Sequence, residues 1–321
     1  MAEPAAVVAP ESHDVSQLPD DEYGRMVRYG KELTDRTFAY IGPEVKKPGM
    51  RFAGNNLACA SCHEASATKK YAIPWVGVNA IFPQYRAREN EISTLEDRIN
   101  GCMERSMAGK ALPLDGREMK AFVTYMHFLS RGIPIGSKVA GQGAIPFTPP
   151  NRRADLVAGA KIYGTRCASC HGANGAGVRA GAAGSATGYA FPPLWGRDSF
   201  NHGAGMNRLL TAAAFIRANM PFGTSHEQPQ LSEDEAYDVA AFVLSHDRPL
   251  KKNTERDFPA RWNKPVDSPF PPYVDGASAD QHRYGPYPPL QAKMKQIRAQ
   301  VQARVQADKA QEPPQEEALP Q

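Results

Sequence analysis

The sequence predicts a mainly α fold, with two similar helical units in tandem followed by an irregular C-terminal extension. Three observations carry that expectation. The pentad Cys59-Ala60-Ser61-Cys62-His63 returns unchanged as Cys167-Ala168-Ser169-Cys170-His171. Apolar residues recur at helical spacing before and after each copy. A Gly- and Pro-rich, nearly chargeless stretch, 132–152, separates the two copies.

Cys-x-x-Cys-His is the attachment signature of c-type haem. Two thiols two residues apart add to the two vinyl groups of one porphyrin, and the adjacent imidazole becomes the proximal ligand of iron. A zinc site would need further Cys or His at ligand spacing, and Cys102 is the one other cysteine. The expected fold class is therefore mainly α, two cytochrome c-like haem domains in tandem. It carries two covalently attached haem c groups, one on Cys59, Cys62 and His63 and one on Cys167, Cys170 and His171. The expected boundaries are 1–131 for the first domain, 132–152 for the linker, 153–250 for the second domain and 251–321 for a Pro-rich extension and tail.

The chain's 321 residues suit two domains and a tail. Apolar residues make up 41% and mean hydropathy is −0.50, low for a purely apolar core; two buried porphyrins would supply much of the missing surface. No run of 18 apolar residues occurs, so no transmembrane segment is expected. A net charge of +4 is too small to argue for nucleic acid. Haem propionates would offset part of it, so the charge says little about partners. With four of five cysteines in haem motifs, no disulfide framework remains. Covalent haem attachment in bacteria takes place outside the cytoplasm. The opening Met-Ala-Glu-Pro lacks a charged and an apolar leader region, so a mature periplasmic protein with its export signal removed or replaced is expected.

Taken in order, residues 1–20 are rich in Pro, Ala and acids and expected to be poorly ordered. A helix is expected over 22–37. Loop-like segments at Pro74-Trp75 and Phe82-Pro83-Gln84-Tyr85 follow the first motif. Short helices are expected over 95–110 and 114–131, the second with Met119, Phe122, Val123, Met126 and Leu129 on one face. In the second unit a helix over 154–163 runs into Cys167, and another over 208–219 precedes Met220-Pro221. The closing helix opens on a Ser232-x-x-Glu235 capping box, with Val239, Ala240, Phe242 and Val243 on its apolar face.

The haem motifs are offset by 108 residues (63 to 171), but Trp75 and Trp195, like Phe122 and Phe242, are offset by 120. A net twelve residues are therefore inserted between His171 and Trp195, most simply in the Gly/Ala-rich stretch 172–188. The same register bears on the distal ligands. Counting 120 on from Cys102 lands two residues past Met220, which precedes a proline and the closing helix. Met220 is thus the favoured second ligand of the second haem and Met206 its competitor; core filling is the alternative role for either. A thioether raises the reduction potential. An unpaired cysteine is ordinarily a small buried hydrophobe, but register makes Cys102 the candidate thiolate ligand of the first haem, which would lower its potential.

On a helix, Arg98, Cys102 and Ser106 lie at i, i+4 and i+8, on one face. Arg105, Arg86 and Arg88 add guanidinium groups nearby, and arginine presents a rigid fork of donors suited to oxyanions. Haem propionates or a solvated helix face are the alternative partners for any one of them.

These residues resemble those of the dihaem thiosulfate dehydrogenases. The resemblance runs over most of 20–290 and is most specific at Phe82-Pro83-Gln84-Tyr85 and from Arg98 through Cys102 to Met107, with support from Ala218-Asn219-Met220-Pro221. A weaker match lies at Lys264-Pro265-Val266-Asp267 and Gln281–Pro286. It implies His63/Cys102 ligation at an active-site haem, substrate-site roles for Arg88, Arg98, Ser106 and Gln84, and His171/Met220 ligation at an electron-transfer haem. Some relatives carry a Lys where this chain has Asn219, so no Lys/Met ligand exchange is expected.

The implied reaction joins two thiosulfate dianions into tetrathionate and passes two electrons to a small c-type cytochrome or similar acceptor. Two unit charges ~4 Å apart repel by about 1 kcal/mol in water and about 4 kcal/mol at an effective dielectric of ~20; a pair of dianions multiplies this fourfold. Preorganised arginines would offset that repulsion. Cys102 could also form a transient S–S bond with the first thiosulfate. The reverse reaction, tetrathionate reduction, a dihaem carrier without catalysis and a dihaem peroxidase are the competing readings. In the tail, Leu290, Met294, Ile297, Val301 and Val305 form a narrow apolar stripe on a polar helix, expected to be solvated or to dock a partner helix. Residues 311–321 are expected to be disordered.

Overall fold

In the computed structural model, the described residues are 7–8 and 13–311, with side chains described over 13–308. The expected disorder of 1–6, 9–12 and 312–321 falls outside them. From residue 13 the chain is ordered rather than loose: Val15 and Leu18 pack on the first core, and the Asp14 carboxylate caps a single 3-10 turn.

The first half contains α1 (Glu22–Asp35), the one-turn α2 (Thr37–Tyr40), the short turn α3 (Glu64–Ala67), α4 (Leu95–Arg105) and α5 (Arg117–Phe128). The second contains α6 (Leu156–Arg166), α7 (Ala168–His171), α8 (Leu209–Asn219) and α9 (Glu233–Ser245). Side-chain caps fix the starts of four of these helices, with Asp155 capping α6. Asp21 accepts from the Gly24 N–H at α1, Thr94 and Asp97 form a reciprocal capping box at α4, and Ser232 and Glu235 form the expected one at α9.

In each half the first and last long helices pack across one another, α1 on α5 and α6 on α9. A glycine lies at each crossing. A Cβ on Gly30 would collide with the Ala121 carbonyl, and one on Gly159 with the Asp238 carbonyl, so the backbones approach more closely than a side chain permits. The expected apolar faces are buried there: Met119, Phe122, Met126 and Leu129 in the first half, Val239, Ala240 and Val243 in the second.

Two expectations are corrected, and the linker and the extension gain detail. The helix from Leu95 stops at Arg105 rather than 110, because Ala108 takes a left-handed conformation (φ 48) and the Met107 carbonyl is claimed by the Gly54 N–H (2.8 Å). The segment read as a loop at 82–85 becomes a hairpin, β2 (Gln84–Arg86) antiparallel to β3 (Glu91–Ser93); β1 (Val7–Val8) pairs in parallel with β4 (Lys138–Val139) of the linker. That linker is more than a tether, since Ile133 and Val139 bury against Val76 and Ala80. The extension is irregular only at first. From Ser278 it forms α10 (Ala279–Tyr284) and α11 (Tyr287–Gln311), whose Tyr287 and Leu290 join the second core. Met294 is also buried, whereas Val305 is 47% exposed, so the expected apolar stripe is docked at its start and solvated further along.

The insertion in the second half bridges to the first. Arg179, on β5 (Val178–Arg179), pairs with Glu44 (2.7 Å), which also accepts the Ala186 N–H (3.1 Å). Asp198 accepts from Asn56 of the first half and from Tyr189, on β6 (Tyr189–Phe191). Hydrogen bonds and an ion pair therefore tie this part of the second half to the first.

Candidate active site

Both histidines of the duplicated motif are oriented alike. The Nδ1 of His63 meets the Ile73 carbonyl at 2.6 Å and that of His171 meets the Pro192 carbonyl at 2.8 Å. Each bond makes Nδ1 the protonated nitrogen and leaves Nε2 as the lone-pair donor, the tautomer a metal-bound imidazole requires. These carbonyls are offset by 119 residues (73 to 192), so eleven of the twelve inserted residues precede Pro192. Burial lowers the His171 pKa, with the Pro192 bond opposing. Trp75 lies 5.1 Å from His63, ring to ring. No disulfide joins any of the five cysteines.

A cavity of about 300 Å³ opens beside the first motif. Cys59, Cys62 and His63 line it together with Gln84, Arg86, Arg98, Cys102 and Ser106. Two local patterns converge on it. Strand alternation sends Gln84 and Arg86 inward while Tyr85 and its cross-strand partner Ile92 are exposed. Helical spacing sends Arg98, Cys102 and Ser106 inward from one face of α4 and its C-cap.

Within the cavity Arg98 Nη1 donates to Cys102 Sγ at 2.6 Å. Burial alone would raise the Cys102 thiol, but the Arg98 guanidinium and then His63 outweigh it and bring it down to about 6. With Nδ1 of His63 held by Ile73, the nitrogen facing Cys102 is Nε2. The neighbouring Cys59 and Cys62 show what happens without a guanidinium: burial pushes both up to about 12. A free-nitrogen imidazole and two attachment thiols around one apolar space fit a c-type haem that Cys59, Cys62 and His63 would hold, with the Cys102 sulfur lining the same space.

The sequence-predicted residues do not all converge. Arg88, at the hairpin tip, stands outside the cavity lining and donates instead to the Gly203 carbonyl (2.8 Å) and Asp257 (3.4 Å). Arg105 binds the same pair. Met206, weighed as a ligand of the second haem, lines the first cavity, as does Phe200. Met220 is the C-cap of α8 in extended conformation, just before Pro221. Phe200, Met206, Gly203 and Asp257 were not foreseen in the first site: they come from the other half and the extension, and no local spacing in the sequence ties them to Cys102.

Comparison with known proteins agrees with this geometry. Residues 51–135 match the SoxA/TsdA cytochrome c domain and 156–247 match cytochrome c. The chain is 45% identical to a thiosulfate dehydrogenase of Allochromatium vinosum over 73% of its own length and 82% of the relative's. It is 38% identical to a thiosulfate dehydrogenase of Psychrobacter arcticus, over 77% and 70% respectively. The solved thiosulfate dehydrogenase TsdBA of Marichromatium purpuratum superposes with a TM-score of 0.68 at 31% identity, covering 88% of this chain and 54% of that one.

Fold and site together define a mainly helical, tandem c-type cytochrome that carries two covalently bound haems and acts as an oxidoreductase. The chain belongs to the thiosulfate dehydrogenase family and oxidises thiosulfate, passing its electrons through haem. Among the described residues no helix is long and apolar enough to cross a membrane.

Proposed function

We propose that the cavity at Cys102 couples two thiosulfate ions into tetrathionate; His63 and Cys102 would hold the iron of the first haem, and His171 and Met220 that of the second. The carrying observation is the Arg98–Cys102 contact of 2.6 Å inside a cavity shared with the first attachment motif. When bound, the haems would supply one-electron acceptance and relay toward an acceptor such as a small c-type cytochrome in the periplasm.

The side chains divide the remaining work. Arg98 and Arg86 offset the repulsion between two dianions, which in a cavity of low dielectric is the main electrostatic obstacle. Arg86 is partly neutralised by Glu89 (3.2 Å), which leaves Arg98 as the stronger anion partner. Ser106 and Gln84 donate to sulfonate oxygens. The Cys102 thiolate joins the sulfane sulfur of the first thiosulfate in an S–S bond as two electrons leave for the haems. The second thiosulfate attacks that sulfane sulfur, tetrathionate departs and Cys102 is released as the thiolate. Charge and sulfur balance in both steps.

Replacing Cys102 with Gly is expected to abolish thiosulfate-dependent ferricyanide reduction while both haems stay attached. Retained turnover would refute the role of this sulfur and favour a plain carrier or another site. Tetrathionate reduction would use the same residues in reverse.

A further inference from the structure

One wall of the cavity comes from segment 199–207 of the second half. Phe200 and Met206 face the cavity, and the residues between them are held by first-half groups. The buried Asn55 amide donates to the carbonyls of both Ser106 (2.9 Å) and Ser199 (3.2 Å). Asn201 donates its N–H to the Arg105 carbonyl (3.1 Å) and its side-chain amide to the Glu104 carbonyl (2.8 Å). In the middle, the Gly203 carbonyl accepts from Arg88 (2.8 Å) and Arg105 (3.2 Å).

Both guanidiniums share one carboxylate. Asp257 takes Arg105 in a two-pronged bond (2.7 and 2.9 Å) and Arg88 at 3.4 Å. Asp257 is only 6% exposed, so the trio is screened from water. Its segment is anchored as well, since the Phe258 N–H donates to the Arg88 carbonyl (2.7 Å) and Arg261 to the Asp257 carbonyl (2.6 Å). Two like charges on one carbonyl oxygen would repel; burial and then the charge of Arg105 already pull Arg88 down to about 10, against the influence of Asp257. Each of the three groups that Asp257 gathers adjoins the cavity lining in sequence: Arg88 is two residues from Arg86, Arg105 is next to Ser106, and Gly203 is three from both Phe200 and Met206.

We infer that Asp257, in the extension, is a positioning residue for the thiosulfate site: by holding Arg88 and Arg105 on the Gly203 carbonyl it fixes the Phe200–Met206 wall against the hairpin that carries Gln84 and Arg86. This rests on the reading of the Cys102 cavity as the substrate site. It makes the active site a joint product of both halves and the extension.

The sign of one measurement separates positioning from simple charge. A carboxylate that merely subtracted positive potential would, on removal, tighten the binding of a dianion and lower KM. A carboxylate that positions the wall would, on removal, loosen the site and raise KM despite the added positive charge. Asp257→Asn is expected to raise KM for thiosulfate about tenfold with kcat within about threefold, with both haems attached and the spectroscopic signature of the first haem's ligation unchanged. Asp257→Glu, which keeps the charge but displaces it by a methylene, is expected to give an intermediate KM. An unchanged or lowered KM in Asp257→Asn overturns the inference. Should that variant not accumulate with two haems, a wild-type KM in Asp257→Glu overturns it equally. Turnover surviving in Cys102→Gly would instead sink the reading of the site itself, whatever Asp257 does.

Discussion

The two halves share one attachment pentad and one histidine orientation, yet the residues proposed as their second ligands, Cys102 and Met220, stand in different places. Cys102 lies inside α4, so α4 itself supplies neighbours on the same face one turn away on either side, Arg98 and Ser106. Met220 lies just past the end of α8, in extended backbone before Pro221, and no helical turn continues beyond it to place a companion beside the sulfur. Phe222, two residues on, is 88% exposed. The first site is walled by parts of both halves, whereas the chain just past Met220 lies near solvent. The attachment motif decides that a haem is held; on the proposed ligation, the position of the second ligand relative to its helix decides whether reactive side chains accompany it.

Breaking the first half's distinction should have the largest effect. Arg98→Ala removes the cation that holds the Cys102 sulfur, and kcat/KM for thiosulfate is expected to fall by about 10²–10³-fold, the loss typical of one preorganised electrostatic partner. Arg98→Lys should recover only part, because an ammonium lacks the planar fork. Redox titration of the second haem should be unaltered in both variants. A shift there would show that the halves are not separable in this way.

The next test exchanges the two methionines' assigned places. Met220→His replaces a thioether by an imidazole and is expected to lower the second haem's potential by a sizeable part of the ~0.8 V that axial ligands span. Met206→Leu, which keeps an apolar group of similar volume on the cavity wall, is expected to leave that potential in place and to alter KM for thiosulfate by no more than about threefold. The reverse pattern in a potentiometric titration would assign Met206 to the second iron.

Much of this was legible in the sequence, and what was not has a physical reason. Helical period exposed the faces around Phe122 and Phe242, and the i, i+4, i+8 spacing placed Arg98, Cys102 and Ser106 together, because both are consequences of 3.6 residues per turn. Gln84 and Arg86 were legible as residues but not as strand: three residues on each side of a hairpin give too few periods to read. Asp257 was illegible, since its partners Arg88 and Arg105 lie more than 150 residues away and an isolated acid in a Pro-rich stretch has no pattern. Gly30 and Gly159 carried a signal that went unread. A glycine inside a helix marks either weakness or close approach.

Those glycines compare the halves as scaffolds. Gly30→Ala and Gly159→Ala each push a methyl into the carbonyl of the crossing helix, and each is expected to destabilise its own half by about 1–3 kcal/mol. Chemical denaturation followed by haem absorbance should show losses of similar size. A loss confined to one variant would mean that the crossing is structural in one half only.

The smallest effect is expected where the halves touch through the insertion. Arg179 pairs with Glu44 at 2.7 Å, and the two side chains are 23% and 18% exposed, so the pair is partly screened by water. Removing it with Arg179→Met leaves Glu44 a remaining donor, the Ala186 N–H, and Asp198 its bonds from Asn56 and Tyr189. The loss should therefore stay near the ~1 kcal/mol of a partly exposed ion pair, a fall in Tm of roughly 2–4 °C for a domain of this size. Because the pair spans the halves rather than lying within one, that loss should appear as earlier separation of their unfolding, with thiosulfate turnover unchanged. If turnover fell steeply while each haem kept its spectrum and potential, the insertion would be setting how the two haems exchange electrons, and the halves could no longer be treated as one site of chemistry and one outlet joined by an inert contact.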